Sequence, residues 1–254
     1  MKILSIANFK GGTGKTTTAC NLAALLGWEG KRVLLIDADA QHNATDFFVA
    51  DPDGYTLTDM LEGLGESVAE DNIVHADRYP IDVLCADMGL LRLDLAAILN
   101  QSNATQKRMD DFLDALREDD AYDFVICDCP PQFTAASVAC LINSDEVILP
   151  TKVDAFSRQG VIELTEQLRA AGLRLLRPMP RIRVLVTMAD RSNLSRQGEE
   201  LLRRSGFETF ETAIRAGVAV GESSYARQPL YEYAPKSNPA QDYEALAKEV
   251  LGNG

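Results

Sequence analysis

The sequence lacks a long hydrophobic run. None of its apolar segments approaches the roughly 18 residues that a membrane-spanning helix needs. It also begins without a basic stretch and cleavage site and ends without a basic amphipathic segment, so we expect a cytoplasmic protein that binds no membrane. Because there is no internal repeat, low-complexity tract or linker, the economical prediction is a single domain over residues 1–254.

Cysteine and histidine are scarce, and neither forms a ligand pattern. The cysteines are odd in number, show no Cys-x-x-Cys spacing and mostly lie in apolar surroundings; they are Cys20, Cys85, Cys127, Cys129 and Cys140. We expect reduced thiols in the core, which argues against an iron–sulfur cluster because its iron needs thiolate ligands. His75 has no ligand cluster near it in the sequence, so we interpret it as structural rather than catalytic.

Positive charge is also in short supply. The formal net charge is −13, which ordinarily discourages a nucleic-acid hypothesis. The deficit is uneven, because residues 1–164 carry 12 Lys and Arg against 27 Asp and Glu, whereas residues 165–254 carry 13 against 11. If this protein contacts DNA, we expect the C-terminal third to make the contact.

A glycine-rich loop near the N-terminus carries the strongest functional signal. It follows the apolar run of residues 3–7 and reads Lys10-Gly11-Gly12-Thr13-Gly14-Lys15-Thr16-Thr17. Its glycines allow a tight turn in which backbone N–H groups and the start of the next helix face phosphate oxygens. In such a loop Lys15 neutralises phosphate charge and the Thr16 hydroxyl ligates Mg²⁺. The alternative is a solvated Lys10 beside an ordinary glycine turn.

The loop departs from the usual phosphate-loop consensus at its first position. Phe9 stands where the consensus has glycine, and a second lysine, Lys10, opens the loop. A cation at that point exceeds what one triphosphate needs from its own loop.

Acidic residues follow two further apolar runs. The run 33–36 leads into Asp37 and Asp39, and the run 124–127 ends at Asp128, shortly before a double proline. Such runs are typical of parallel strands covered on both faces, whose carboxyl ends form the ligand-binding edge of an open sheet. Asp128 could there hold the water shell of Mg²⁺ opposite the loop threonine. For the other two acids, the alternative of a solvated loop stays open.

The order of strand and helix patterns predicts the fold class. We expect strands near residues 2–8, 33–36, 81–85, 124–128, 146–149 and 182–187 and a further candidate in 207–215, with helices near 15–28, 57–64, 90–99, 109–116, 157–171, 195–204 and 239–250. This alternation predicts an α/β fold: a single doubly wound domain with a mostly parallel central sheet flanked by helices. The apolar stripes between residues 90 and 116 are interpreted as core or interface.

The loop and the acids together resemble the deviant-Walker P-loop ATPases, and most closely the ParA-type DNA-partition ATPases, over nearly the whole chain. The resemblance implies that Lys10 reaches across an ATP-sandwich homodimer to the nucleotide of the partner subunit. It also implies that Asp39 orients the attacking water, that Asp128 is the Walker B residue and that Met188 lies near the adenine ring. Two departures are Thr13, where the family commonly has valine, and Ala40, which replaces a proline.

The resemblance further implies a function. We expect an ATPase that needs Mg²⁺ and ATP, dimerises when ATP is bound, binds DNA without sequence preference and segregates a plasmid or chromosome with a ParB-like centromere-binding protein. It would then be associated with the nucleoid. Because this chemistry is mostly positioning and charge stabilisation, Lys10, Lys15 and Asp39 suffice for slow turnover. The rivals are an ATP-dependent metabolic enzyme of the same fold and a nucleotide-gated ATPase that regulates or positions a protein cargo without binding DNA.

The candidates for DNA contact are Arg203, Arg204 and Arg227, which lie in the more basic C-terminal third. Against this hypothesis, Ala216 and Ala219 stand where the family commonly has arginines in the stretch Ile-Pro-Arg-Asn-Val-Arg-Leu. The alternative is that these arginines are solvated helix charges only.

Overall fold

The computed structural model describes residues 1–52, 54–64, 73–76, 78–100, 103–154, 157–190 and 192–252, without the side chains of 97–100 and 194. Eight strands form one sheet: β1 (Lys2–Ile6), β2 (Val33–Asp37), β3 (Ile73–His75), β4 (Asp82–Leu84), β5 (Phe124–Asp128), β6 (Glu146–Lys152), β7 (Arg181–Thr187) and β8 (Glu208–Thr209). Their order is β3-β4-β2-β5-β1-β6-β7-β8, and only the β3–β4 pair is antiparallel among the described strands. The predicted mostly parallel α/β sheet is confirmed.

Helices cover both faces of this sheet. In chain order they are α1 (Lys15–Trp28), α2 (Asn43–Phe48), α3 (Leu57–Glu62), α4 (Leu90–Asn100), α5 (Ala104–Glu118), α6 (Ala135–Ile142), α7 (Ser157–Leu175), α8 (Asn193–Arg204), α9 (Val218–Ala226), α10 (Leu230–Tyr233) and α11 (Asn238–Gly252). On one face α1 packs against α11, and on the other α3 to α7 form a connected layer.

Strand residues alternate between two cores. In β1, Ile3 belongs to the core under α5 and α6, whereas Leu4 and Ile6 belong to the core under α1 and α11. Leu34 and Leu35 of β2 divide in the same way, and all five side chains are fully buried. Burial on both faces explains why these runs are continuously apolar.

The strand order brings the candidate site residues to one edge of the sheet. β1 lies between β5 and β6, and β2 lies on the far side of β5. The register pairs Ile6 with Asp128, and Asp128 with Asp37. Because these strands are parallel, the segments that follow β1, β2 and β5 all emerge at the same edge, where open α/β sheets bind ligands.

A buried arginine joins the C-terminal part of the chain to the sheet. The Arg183 side chain is 6% exposed and pairs with Glu146 at 3.3 Å and Glu249 at 2.5 Å. Its guanidinium also lies over the Phe210 ring, 3.6 Å from the centroid. Arg183, which the sequence places among C-terminal basic residues, is therefore part of the core packing and not of a surface.

Several sequence predictions are confirmed and others need correction. All five cysteines are buried and free, and His75 pairs with Asp82 across β3 and β4. The strand expected to end at residue 149 continues through Pro150 as β6, and the elements α2, α6, α9, α10 and β3 were not predicted. Leu91 and Leu95 of the α4 stripe are 47% and 59% exposed, so of the two predicted alternatives, core or interface, the core is excluded for these two residues. No described helix is long and apolar enough to cross a membrane.

Candidate functional site

The glycine-rich loop has the backbone that its sequence predicts. Gly12 and Gly14 adopt φ values of 69° and 90°, which residues with a Cβ rarely adopt. Gly14 immediately precedes α1, whose N-terminus has neither a side-chain cap nor an acidic residue in its first turn. Thr16 and Thr17 lie in that first turn. The uncapped N–H groups and the positive end of the helix are thus available to an anion.

Two side chains outside the loop hold it in place. Asn8 Nδ2 donates to the carbonyl of Pro150 at 2.8 Å, while Asn8 Oδ1 accepts from the Lys10 N–H at 2.9 Å. Near the other end of the loop, Thr187 Oγ1 donates to the Thr13 carbonyl at 2.8 Å. Asn8 and Thr187 are both buried. The loop is therefore tied to the ends of β6 and β7, a feature that sequence reasoning missed.

Lys15 lies inside the site. The residue is 8% exposed, and its Nζ is 3.3 Å from the carbonyl oxygen of Lys10. Burial lowers the pKa of Lys15, and the negative charges of Asp128 and Asp39 oppose this shift. A buried ammonium close to two carboxylates can neutralise a phosphate without leaving the subunit.

Asp128 is a buried carboxylate without adequate partners. It is 1% exposed, and neither oxygen accepts a hydrogen bond of good geometry, although the Thr16 hydroxyl is near enough to lower its pKa. Burial and then the charge of Asp37 hold the pKa of the Asp128 carboxyl well above its usual range. Such a group needs a cation or ordered water. Thr16 and Asp128 therefore fit a Mg²⁺ ion that keeps most of its ligands as water and phosphate.

Within the described ranges, no three His, Cys, Asp or Glu side chains cluster as a self-sufficient metal site.

The two acids after β2 have different environments. Asp37 is fully buried and accepts hydrogen bonds from the Thr45 N–H at 2.8 Å, the Thr45 hydroxyl at 2.9 Å and the Asp39 N–H at 3.1 Å. It therefore anchors α2 and the segment that follows β2. Asp39 is only half-buried, and its Oδ1 accepts from the Gln41 N–H at 3.0 Å. Asp39 is thus the acid of this pair that a water molecule can reach, and the solvated-loop alternative fails for Asp37.

Lys10 has a partner within its own chain. Its Nζ forms an ion pair with Asp154, which follows β6, and the Lys10 side chain is 50% exposed. Sequence reasoning missed Asp154 because it lies 144 residues from Lys10.

Met188 lies where β7 ends, in a left-handed conformation with φ 53°. The next residue, Ala189, donates its N–H to Ile214 at 3.0 Å and accepts from the Ala216 N–H at 2.9 Å. These bonds place the segment after β7 alongside the segment that leads into α9. Residues 188–190 and 214–216 are thus joined by a parallel β-bridge next to Thr187, whose hydroxyl donates to the phosphate loop.

The candidate DNA-binding arginines have unequal surroundings. Arg203 and Arg204 lie in the last turn of α8, and each pairs with a glutamate one turn earlier. Arg203 also donates to the carbonyls of Phe210 and Glu211, so it ties α8 to the segment after β8. Arg227 is exposed at the C-cap of α9 and forms no ion pair with any described residue. Arg227 and Arg204 are thus more available to a ligand than Arg203.

The sheet is open and mostly parallel, a glycine-rich phosphate loop follows its central strand β1, and acids follow the strands β2 and β5. These features together define the class of P-loop ATPases. The AAA_31 family model, described as an AAA domain, matches residues 1–177. The sporulation initiation inhibitor protein Soj of Bacillus subtilis strain 168 is 33% identical over 260 residues, covering 100% of this chain and 99% of that protein. The chromosome partitioning protein ParA of Caulobacter vibrioides is 35% identical over 257 residues, covering 99% and 94%.

A solved structure shares the architecture. Cobyrinic acid a,c-diamide synthase from Mycobacterium smegmatis, with bound ADP and magnesium, has a TM-score of 0.80 at 25% identity and covers 99% of this chain and 94% of its own. With the full-length sequence relatives, this shows that the chain belongs to the ParA/Soj-type family of P-loop ATPases.

Proposed function

We propose that this protein is a Mg²⁺-dependent ATPase whose ATP-bound form dimerises face to face, binds DNA without sequence preference and segregates a DNA cargo with a ParB-like partner. The observation that carries the proposal is the contrast between two lysines of one loop. Lys15 is buried near Asp39 and Asp128, whereas half of the Lys10 side chain is exposed. One nucleotide needs one such loop cation, so an exposed second lysine suits phosphates that another subunit presents.

The proposed roles follow from position. The backbone of residues 11–17 and the Lys15 ammonium bind the phosphates. Met188, in the segment that follows β7 beside the phosphate loop, is our candidate for the adenine contact. Thr16 and Asp128 would hold Mg²⁺, which would supply positive charge to neutralise the charge that develops on the phosphates. Asp39 orients the attacking water, since it is the half-buried acid whose backbone Asp37 fixes.

The relatives support the cargo and cofactor parts of the proposal. One full-length relative is named for chromosome partitioning. A neighbour of the same fold holds ADP and magnesium.

Nucleotide binding and hydrolysis are tested with two site variants and one charge control. Lys15→Ala should lose Mg·ATP binding in calorimetric titration because, among the described residues, no other buried cation lies at the phosphate loop. Asp39→Ala should bind Mg·ATP, hydrolyse it far more slowly and accumulate as a dimer in light scattering. Lys31→Ala, which removes an exposed lysine beyond the far end of α1, should behave as wild type. Normal affinity in folded Lys15→Ala would remove the phosphate-loop assignment, and normal turnover in Asp39→Ala would reassign the water.

A nucleotide-gated ATPase that positions a protein cargo is the second candidate. It is favoured by the internal pairing of Arg203 and Arg204, and by alanine at positions 216 and 219. Retention on unrelated DNA duplexes, measured with Mg·ATP across a salt series, separates the two candidates. DNA binding should weaken steeply with salt through counterion release. It should also fall in a protein that carries both Arg204→Glu and Arg227→Glu.

Two outcomes would change the proposed function. Dimerisation without ATP-dependent DNA retention, even at low salt, would favour protein positioning. ATP turnover that appears only with a small-molecule co-substrate would instead favour a metabolic enzyme, such as the synthase of the same fold.

A further inference from the structure

The phosphate loop holds its two lysines in different ways. Lys15 is buried, and its Nζ donates to the Lys10 carbonyl of the same loop. Lys10 is instead engaged by Asp154 of the same chain, in a pair whose side chains are 50% and 29% exposed. In the proposed function, the Lys10 ammonium contacts the nucleotide of a second subunit. In this structure, it is already paired with Asp154 of its own subunit.

Asp154 reaches Lys10 because of the strand order. β6 lies directly beside β1, so the chain leaves β6 next to the loop that follows β1. The backbone at Asp154 is fixed by Ser157 at the start of α7. The Ser157 hydroxyl donates to the Asp154 carbonyl at 2.7 Å and accepts from the Asp154 N–H at 3.3 Å.

The backbone of Lys10 is fixed to the same strand. Asn8 accepts the Lys10 N–H and donates to the carbonyl of Pro150 within β6. Because the Lys10 backbone is held to β6 and the Asp154 backbone is held to the start of α7, rotation of the long Lys10 side chain is sufficient to break the ion pair. The N–H groups that face the phosphate need not move when it breaks.

We propose that Asp154 is a positioning residue that holds Lys10 within its own subunit, and that this ion pair must open before Lys10 contacts the nucleotide of a second copy of the chain. The inference rests on the proposed function of Lys10. A partly exposed ion pair is weak enough to open readily, yet it disfavours association until bound phosphates offer the lysine a stronger partner.

The test is the dimer dissociation constant, measured by light scattering with Mg²⁺ and a non-hydrolysable ATP analogue. Each symmetric dimer opens two of these pairs, one in each subunit. Asp154→Asn should therefore tighten dimerisation by about 2- to 30-fold, which corresponds to two exposed ion pairs. Asp154→Glu keeps the carboxylate and should stay close to wild type. Asp114→Asn removes the same charge from an exposed pair with Arg117 and should change nothing.

A second readout separates an electrostatic role from a merely structural one. Because salt screens the exposed Lys10–Asp154 pair in the wild type, the advantage of Asp154→Asn should shrink as the salt concentration rises. A loosened start of α7 would give no such trend. Nucleotide affinity of the isolated subunit should be the same in both proteins.

The outcomes distinguish this inference from the proposed function. If Lys10→Ala loses the dimer but Asp154→Asn leaves its dissociation constant unchanged or raises it, the role of Asp154 is wrong and the role of Lys10 stands. If Lys10→Ala dimerises as well as wild type, Lys10 does not cross an interface and both fail.

Discussion

Asp37→Asn and Asp128→Asn make the same change at two paired strand ends, but they should change the stability of the protein in opposite directions. Asp37 and Asp128 face each other in the register of β2 and β5, and both are almost completely buried. The difference lies in their partners, since Asp37 accepts three hydrogen bonds and Asp128 accepts none of good geometry. Without nucleotide and Mg²⁺, we therefore expect Asp37→Asn to destabilise the protein and Asp128→Asn to stabilise it.

The magnitudes follow from these partners. Asp37 Oδ1 accepts from the Asp39 N–H, and Oδ2 accepts from Thr45. In either orientation, an asparagine amide would place its NH₂ group against one of these donors. Leaving such a buried donor unsatisfied costs about 1–3 kcal/mol. At position 128 the amide removes a carboxyl whose charged form is disfavoured by burial. The amide remains poorly hydrogen-bonded and no longer attracts the Lys15 ammonium, so the gain is limited to about 1 kcal/mol. For a chain of this size, each kcal/mol corresponds to roughly 2–4 °C in Tm.

Thermal unfolding with and without Mg·ATP is the assay. Asp128→Asn should melt higher than wild type without ligand and lose the part of the ligand-induced shift that depends on Mg²⁺, because ligand stabilises only through binding to the native state. Asp37→Asn should melt lower in both conditions and keep a Mg²⁺-dependent shift. If Asp128→Asn is the less stable of the two without ligand, Asp128 has a stabilising partner and its assignment as a metal ligand loses its main support.

Two further predictions use matched residues on neighbouring strands. Thr187→Val removes the hydroxyl that donates to the Thr13 carbonyl and should weaken Mg·ATP binding by about 2- to 10-fold in calorimetry. Thr151→Val, whose hydroxyl donates to the Leu149 carbonyl within β6, should leave the affinity unchanged. Equal affinities of the two variants would show that the loop does not need the Thr187 hydrogen bond. Arg183→Met removes the buried arginine from Glu146 and Glu249, although Glu146 keeps Lys2 and Glu249 keeps two backbone N–H donors. It should cost at most about 3–5 kcal/mol in urea unfolding, whereas Arg181→Met, in an exposed pair, should cost at most about 1 kcal/mol. Equal costs would contradict a stabilising buried network.

The phosphate loop and the strand-end acids could be predicted because their chemistry is local in the sequence. The helix predicted near residues 15–28 is observed as Lys15–Trp28, and Asp128 ends the strand that its apolar run predicts. Of the short helices only α3 was predicted among the described elements, because the others carry too few turns to show a clear periodic stripe. α2, for example, has six residues and begins after His42 in a left-handed conformation. Its position depends on a bond from Thr45 to Asp37 that no local pattern encodes.

The residues that hold the loop were missed for a related reason. Asn8, Thr187 and Asp154 are unremarkable polar residues in sequence, and two of them act on parts of the loop 174 and 144 residues away. Only the strand order, which places β6 and then β7 beside β1, brings them to the loop. A sequence therefore shows which residues can bind a phosphate more readily than which residues hold them in place.

The distribution of charge along the chain misleads in the same way. The excess of arginine in the C-terminal third favoured a DNA-binding surface there, but a count of charges does not separate free cations from paired ones. Arg183 is buried in an ion-pair network, and Arg215 donates to both oxygens of Asp242. Arg203 is held by a glutamate and two backbone carbonyls. A cation already paired with a carboxylate releases fewer counterions when it meets a phosphate, because it must first give up that partner. If DNA retention is observed, its salt dependence should therefore be shallower than the number of arginines in this region implies.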